Sequence, residues 1–202
     1  MRSRPHGALL ELVLIVAAAL GLALLIQAFL VKPYRIPSAS MEPTLDIGER
    51  VLVNRVNYHF QDPSRGDVVV FHPPQGAVAG GPGECGVPTV IPGQPCSRPT
   101  EKRADVNFIK RVVALPGDSI AIRNGHAVVN GKVQKESYTR PCGAAGECDF
   151  PRPIKIPPDH FFMMGDNRGE SDDSRFWGPV PKEWIIGQAF FSYWPVKNVG
   201  LL

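Results

Sequence analysis

Phe108-Ile109-Lys110-Arg111-Val112-Val113-Ala114-Leu115-Pro116-Gly117-Asp118 is the stretch whose reading decides the fold. Its β-branched and aromatic residues up to Ala114 favour a pleated strand, and Pro116-Gly117-Asp118 ends it in a turn. Alternate residues of a strand share a face, so Phe108, Lys110 and Val112 lie on one side and Ile109, Arg111 and Val113 on the other. Lys110 thus sits between two apolar neighbours. Burial disfavours an ammonium and can lower a lysine pKa by as much as about 3–5 units. A lysine kept neutral can act as a general base. Taken alone, the pattern fits better a lysine that snorkels out of an apolar patch.

Outward from this strand the pattern stays β. Glu49–Arg55 alternates as a strand, and Asp67-Val68-Val69-Val70-Phe71 is a β-branched run bounded by Arg65-Gly66 and Pro73-Pro74. The first strand of the series to follow Lys110 is Ser119–Arg123. It is joined to His126–Val129 by Asn124-Gly125, a strong hairpin signal, and Asn130-Gly131 marks the next turn. His160–Met164 and Gln188–Trp194 complete the sheet, with one short helix expected around Pro181–Ile185. Residues 75–105 have no apolar period and read as a surface insertion; Pro141–Pro158 is a second loop-rich stretch.

The chain has 202 residues, a net charge of +3, 20 Gly and 21 Pro. That length suits one domain of ordinary size plus an anchor. So small a charge, without a Lys/Arg-rich block, argues against nucleic acid as a partner. Leu12–Val31 carries no charge and is interrupted only by Gly21 and Gln27. About 20 such residues are enough to cross a bilayer as a helix, and too many for the h-region of a cleaved signal peptide, about 7–15 residues. Arg2 and Arg4 precede the segment while Lys32 and Arg35 follow it, so positive charge hardly fixes its orientation. The cysteines are more telling. Cys85 with Cys96 and Cys142 with Cys148 form two close pairs in loops, which reads as two disulfides and an oxidising, extracytoplasmic compartment. The spacing lacks C-x₂-C, which argues against zinc.

The reading is therefore a mainly β protein: a coiled antiparallel sheet domain with a loop-rich inserted subdomain, behind one N-terminal transmembrane helix. Residues 1–8 are a short tail, 9–31 the anchor and 32–202 the β domain, with the insertion at 75–105 and the subdomain at about 124–158.

Ser40 lies in Pro37-Ser38-Ala39-Ser40-Met41-Glu42-Pro43-Thr44-Leu45, a Pro-bounded segment without helix or strand period. It follows the last apolar anchor residue by so few positions that its reach from the bilayer is roughly 30 Å at most. A serine there meets only substrates presented at the membrane. A third block runs from Gly165-Asp166-Asn167-Arg168 through Ser171, Asp173, Ser174 and Arg175 to Pro179.

The stretches Pro37–Leu45, Gly66–Phe71, Phe108–Asp118 and Gly165–Pro179, in this order behind the anchor, resemble the four soluble sequence boxes of type I signal peptidase. They cover about a quarter of the chain. The resemblance implies a membrane-bound protease that removes signal peptides from exported preproteins, cutting after Ala-x-Ala. It implies Ser40 as nucleophile, Lys110 as general base, and Ser38 with the Ser40 N–H as the oxyanion hole. It further implies Ser171 as the residue that orients the lysine and Asp173 with Arg175 as a supporting ion pair. Asp67, Val68, Val69, Val70 and Phe71 are expected to pair with an extended substrate. No cofactor or metal is implied, and the expected partners are signal peptides and the lipid bilayer. Asp166 and Arg168 read as a pair stabilising their own turn, and Asp172 as a solvated side chain. Gly-x-Ser-x-Gly and His-Glu-x-x-His are absent, so a His-based triad or a metalloprotease has little support. Two other readings compete: a related Ser-Lys peptidase with a narrower substrate, and a single-pass β domain that binds a partner and does no chemistry.

Overall fold

A strand with apolar residues on both faces needs cover on both sides, and the Lys110 strand has it. The computed structural model describes residues 5–78, 85–143 and 148–202. In chain order the elements are helix α1 (Pro5–Phe29), strands β1 (Val31–Arg35) and β2 (Arg50–Asn54), and the single turn α2 (Asn57–Phe60). Then come β3 (Val68–Phe71), β4 (Phe108–Ala114), β5 (Ser119–Arg123), β6 (His126–Val129), β7 (Lys132–Val133), β8 (Phe150–Lys155) and β9 (His160–Met164). The turn α3 (Ser174–Trp177), β10 (Val180–Pro181), β11 (Ile185–Trp194) and β12 (Gly200–Leu201) complete the chain.

The protein is mainly β. The large sheet runs β1-β2-β11-β3-β4-β9-β10, with β12 on β11, and a smaller sheet runs β7-β6-β5-β8. Neighbouring strands in both are antiparallel. The Asn-Gly turns take the left-handed conformation that two-residue hairpins require: φ is 51° at Asn124 and 74° at Gly125.

Alternation on β3 and β4 separates two apolar layers of the large sheet. Val69, Phe71 and Val112 pack with Phe161, Met163 and Trp177 on one face. Val68, Val70 and Ile109 pack with Ile36, Met41 and Leu45 on the other. A third cluster joins the sheets, with Ile120, Ile122 and Ile154 against Phe162 and Met164.

Two expectations change. The helix read at Pro181–Ile185 is a 3₁₀ turn over Lys182–Trp184, because Pro181 has already entered a strand pair with His160. The insertion is not merely surface. Ala77, Cys96, Thr100 and Ala104 are buried, and Cys96 N–H donates to the Arg175 carbonyl at 2.9 Å. Residues 79–84 of that insertion, and 144–147 of the second loop, lie outside the described residues. Helix α1 has 25 residues, and the side chains from Leu9 to Leu24 project outward without packing on the β domain. Among the described residues no helix is long and apolar enough to cross a membrane. The side chains of 25–29, inside the expected anchor, lie outside that description.

Candidate active site

Ser40 sits in a 3₁₀ turn, Ala39–Met41, that opens where the extended Pro37-Ser38 segment leaves β1. The turn is fixed from below: Met41 and Leu45 are fully buried against Ile36 and Ile109. Both are core residues. The turn is fixed from the side by Asn167, whose backbone N–H donates to the Ser40 carbonyl at 3.1 Å and whose Nδ2 donates to the Ala39 carbonyl at 3.2 Å.

Lys110 reaches this turn from the middle of β4. Its Nζ donates to Ser40 Oγ at 2.5 Å, and the lysine is 4% exposed, Ser40 6%. When the amine is neutral, the same contact lets Ser40 Oγ donate instead. Burial lowers the Lys110 pKa from 10.5 to about 8, against the opposing pull of the Asp173, Asp172 and Asp166 carboxylates; Arg175 adds to the lowering. The Phe108 ring lies 5.9 Å from Nζ and supplies part of the apolar wall. Ser38 Oγ stands 3.3 Å from Ser40 Oγ.

The block Gly165–Arg175 builds the floor. Asp173 is fully buried and accepts from Arg175 Nε at 2.7 Å, Arg175 Nη2 at 2.8 Å and the Gly165 N–H at 3.0 Å. Arg175 Nη2 also donates to the carbonyls of Arg168 and Ser171. Gly165 must be glycine because of what it touches. A Cβ there would sit 2.3 Å from Ser171 Oγ and 2.4 Å from the Ser40 carbonyl oxygen. Gly165→Ala therefore has to displace the Ser40 backbone. We expect a loss of about 1–3 kcal/mol in stability, as for other overpacked sites. A fall of at least about tenfold in kcat should accompany it, measured by steady-state cleavage beside a thermal melt.

Asp166 and Arg168 do not pair with each other. Asp166 takes a two-pronged bond from Arg111 (Nε 2.9 Å, Nη2 2.7 Å) and a third from Thr44 Oγ1. Arg168 pairs with Glu136 through Nη1 at 2.9 Å and Nη2 at 2.6 Å. Both side chains are buried, and each finds its counter-charge on a distant part of the chain, not along the turn. Arg111 was legible in principle. Alternation puts it on a covered face of β4, and a covered guanidinium requires a carboxylate from elsewhere in the fold.

Other expectations need correction. Asp67–Phe71 cannot add a substrate strand, since β3 already pairs β11 on one edge and β4 on the other. Asp67 itself accepts from Tyr58, Ser64 and Gln188. The open edge belongs to β4. Its pairing with β9 starts at Arg111, so Phe108, Ile109 and Lys110 have β3 on one side and no described strand on the other. Ser171 Oγ is buried beside Ser40 and makes no hydrogen bond among the described residues, to Lys110 included. Asp172 is not simply solvated: it lines the cleft that holds Ser40 and Lys110, and its charge acts on the lysine. Cys85 is bonded to Cys96 and Cys142 to Cys148.

The dyad opens into a cleft of about 350 Å³ between Pro37-Ser38 and Asn107–Ile109. A larger cavity of about 810 Å³, lined by Tyr58, Arg98, Lys182 and Trp184, contains neither Ser40 nor Lys110. The smaller one is where a buried amine meets a hydroxyl.

The chain is similar to known proteins. The family described as "Signal peptidase, peptidase S26" matches residues 9–194. A probable signal peptidase I-2 from Synechocystis sp. is 38% identical over 200 residues, covering 99% of this chain and 80% of that protein. A signal peptidase I from Leptolyngbya laminosa is 36% identical over 195 residues, covering 96% and 84%. Among solved structures, a signal peptidase I from Enterococcus faecalis V583 aligns with a TM-score of 0.38 at 21% identity, over 63% of this chain and 97% of that one. With a match spanning nearly all of its length, the chain belongs to the signal peptidase family, peptidase S26.

Proposed function

We propose that this chain is a membrane-bound endopeptidase that removes signal peptides from exported preproteins, cutting after Ala-x-Ala through a serine acyl-enzyme. The observation that carries the reading is the 2.5 Å contact between Ser40 Oγ and a buried Lys110 Nζ whose pKa is lowered to about 8. The neutral amine takes the proton from Ser40 Oγ as that oxygen bonds to the scissile carbonyl carbon. The oxyanion is met by the Ser40 N–H and the Ser38 hydroxyl; one such donor is worth about 3–4 kcal/mol. As the C–N bond breaks, Lys110 returns the proton to the leaving nitrogen. It then takes a proton from the water that attacks the ester, and Ser40 Oγ recovers its hydrogen. This chemistry needs no metal or cofactor.

An extended substrate adds to the open edge of β4 at Asn107–Lys110, facing Pro37-Ser38, so that main-chain bonds give affinity and side-chain pockets give selectivity. The narrow cleft supports a preference for small residues. Helix α1 serves as the anchor: from Leu12 to Ile26 its residues are apolar all round, with no polar stripe to face the β domain. Two disulfides support an extracytoplasmic placement of the β domain.

The test uses full-length protein in detergent with a preprotein carrying an Ala-x-Ala site. Wild type should cut after the second Ala, as read by product mass. Ser40→Ala, shown to be folded, should cut at least about 10³-fold more slowly. Equal cutting by the folded variant would remove the acyl-enzyme reading.

A further inference from the structure

The cleft around the dyad is charged at its mouth. Glu170 and Asp172 line it together with Ser40 and Lys110, and among the described residues its other lining side chains are uncharged. Both carboxylates are exposed and sit on a short bend of the Gly165–Arg175 block. Glu170 N–H donates to the Asn167 carbonyl at 3.1 Å, and its Oε2 accepts a long bond from Asn167 Nδ2 at 3.4 Å. Asp172 directly precedes Asp173, which caps α3. Between them Ser171 turns inward, and its Oγ lies buried and unpartnered next to the Ser40 backbone. The bend thus presents two acidic side chains to the cleft while its middle residue touches the nucleophile's turn.

With Lys110 neutral, the described side chains that line the cleft carry two negative charges and no positive one. The buried carboxylates Asp166 and Asp173 are matched by Arg111 and Arg175. Lys110 is the cleft's one lining cation among the described residues, and it must be neutral to act as a base. A concave, partly enclosed surface of one sign raises the local concentration of the opposite charge and selects between partners.

We propose that Glu170 and Asp172 are specificity-determining residues, which make this enzyme favour substrates with a lysine or arginine within two residues of the scissile bond. This rests on the peptidase reading above and narrows its substrate class.

The test is a set of otherwise identical Ala-x-Ala peptides. Lys, Gln or Glu is placed in turn at the residue between the two alanines and at the first and second residues after the cut. At one or more of these positions kcat/KM should fall in the order Lys, Gln, Glu, with Lys ahead of Gln by about three- to tenfold at low salt. The Lys/Gln ratio should shrink to below about two in Glu170→Gln/Asp172→Asn, and in wild type at about 0.5 M salt. A ratio taken within one enzyme cancels any change these substitutions make to the dyad. Equal cutting of Lys and Gln peptides at all three positions overturns the proposal, as does a preference that survives in the double variant. If the wild type cuts none of the peptides, the Ala-x-Ala reading itself fails and the charge preference falls with it.

Discussion

Lys110→Met should lower kcat/KM by about 10³-fold or more while raising the melting temperature at pH 7. The two effects share one cause. The amine is 4% exposed, and burial has brought its pKa to about 8. At pH 7 about a tenth of it is neutral, enough to take a proton from Ser40 Oγ at 2.5 Å. Methionine keeps the volume and the apolar contacts but has no proton acceptor of use, so a general-base contribution of about 10²–10⁴ is lost along with the nucleophile it activates. Stability moves the other way. The folded state holds Lys110 less firmly protonated than the unfolded chain does, so the burial cost is present in full below pH 8. It is relieved only as pH rises from about 8 toward the ordinary 10.5. Removing the amine lifts that cost, on the order of 1–3 kcal/mol at neutral pH.

The same pKa sets the pH profile. Wild-type kcat/KM should climb close to tenfold per unit between pH 6 and 7 and level off near pH 8. The groups that act on the lysine by charge are Asp173 first, then Asp172, Arg175 and Asp166, and replacing Asp172 by Asn should move the limb to lower pH. A profile flat from pH 6 to 9, or a Lys110→Met enzyme of normal rate, would show that another group is the base.

Asp173→Ala should cost about 3–5 kcal/mol, roughly 10 °C in melting temperature, together with most of the activity. Burial alone would raise the Asp173 pKa. The Arg175 guanidinium, with help from Lys110 and the Gly165 N–H, holds it below the ordinary carboxylate range instead. Truncation leaves Arg175, 1% exposed, with its charge uncompensated, and frees the Gly165 N–H that fixes the backbone beside Ser40. It also uncaps α3, whose Arg175 N–H bonds Asp173 Oδ1. Asp173→Asn, which keeps shape and some hydrogen bonds, should fall between. Because its folded pKa is depressed, the stability Asp173 contributes is present above the unfolded value near 3.8 and is lost as pH falls through the lower folded one. Acid melts of the two variants against wild type should therefore converge at low pH. A variant that melts within 2 °C of wild type at pH 7 would mean the ion pair is not what holds the floor together.

Strands could be read from the chain because alternation and β-branching are local. β3, β4, β5, β6 and β9 lie within two residues of where the pattern puts them, and the Asn124-Gly125 turn is where its φ demand requires. Ser40 and Lys110 were singled out for another reason: the local pattern at Lys110 alone fits a snorkelling side chain better, and it was the surrounding motifs that paired the two residues, which the fold brings to 2.5 Å. Partners across the fold were not legible. Nothing in Gly165-Asp166-Asn167-Arg168 announces that Asp166 turns to Arg111 and Arg168 to Glu136, because a buried charge is matched by whatever packing brings near. The edge on offer to a substrate was misplaced for the same reason. β3 has the stronger strand pattern, but strand order makes it internal and leaves the early half of β4 open.

By itself, the sequence determined the antiparallel β character and the two local cysteine pairs, and it singled out Ser40 and Lys110 as the candidates for the site. These depend on side-chain chemistry and on spacing along the chain. Only the tertiary structure decided which strand edge is free, which carboxylate meets which guanidinium, and that Glu170 and Asp172 share the cleft with the dyad. Those follow from three-dimensional packing, where residues far apart in sequence are held within a few ångströms and the cost of burying each charge selects its partner.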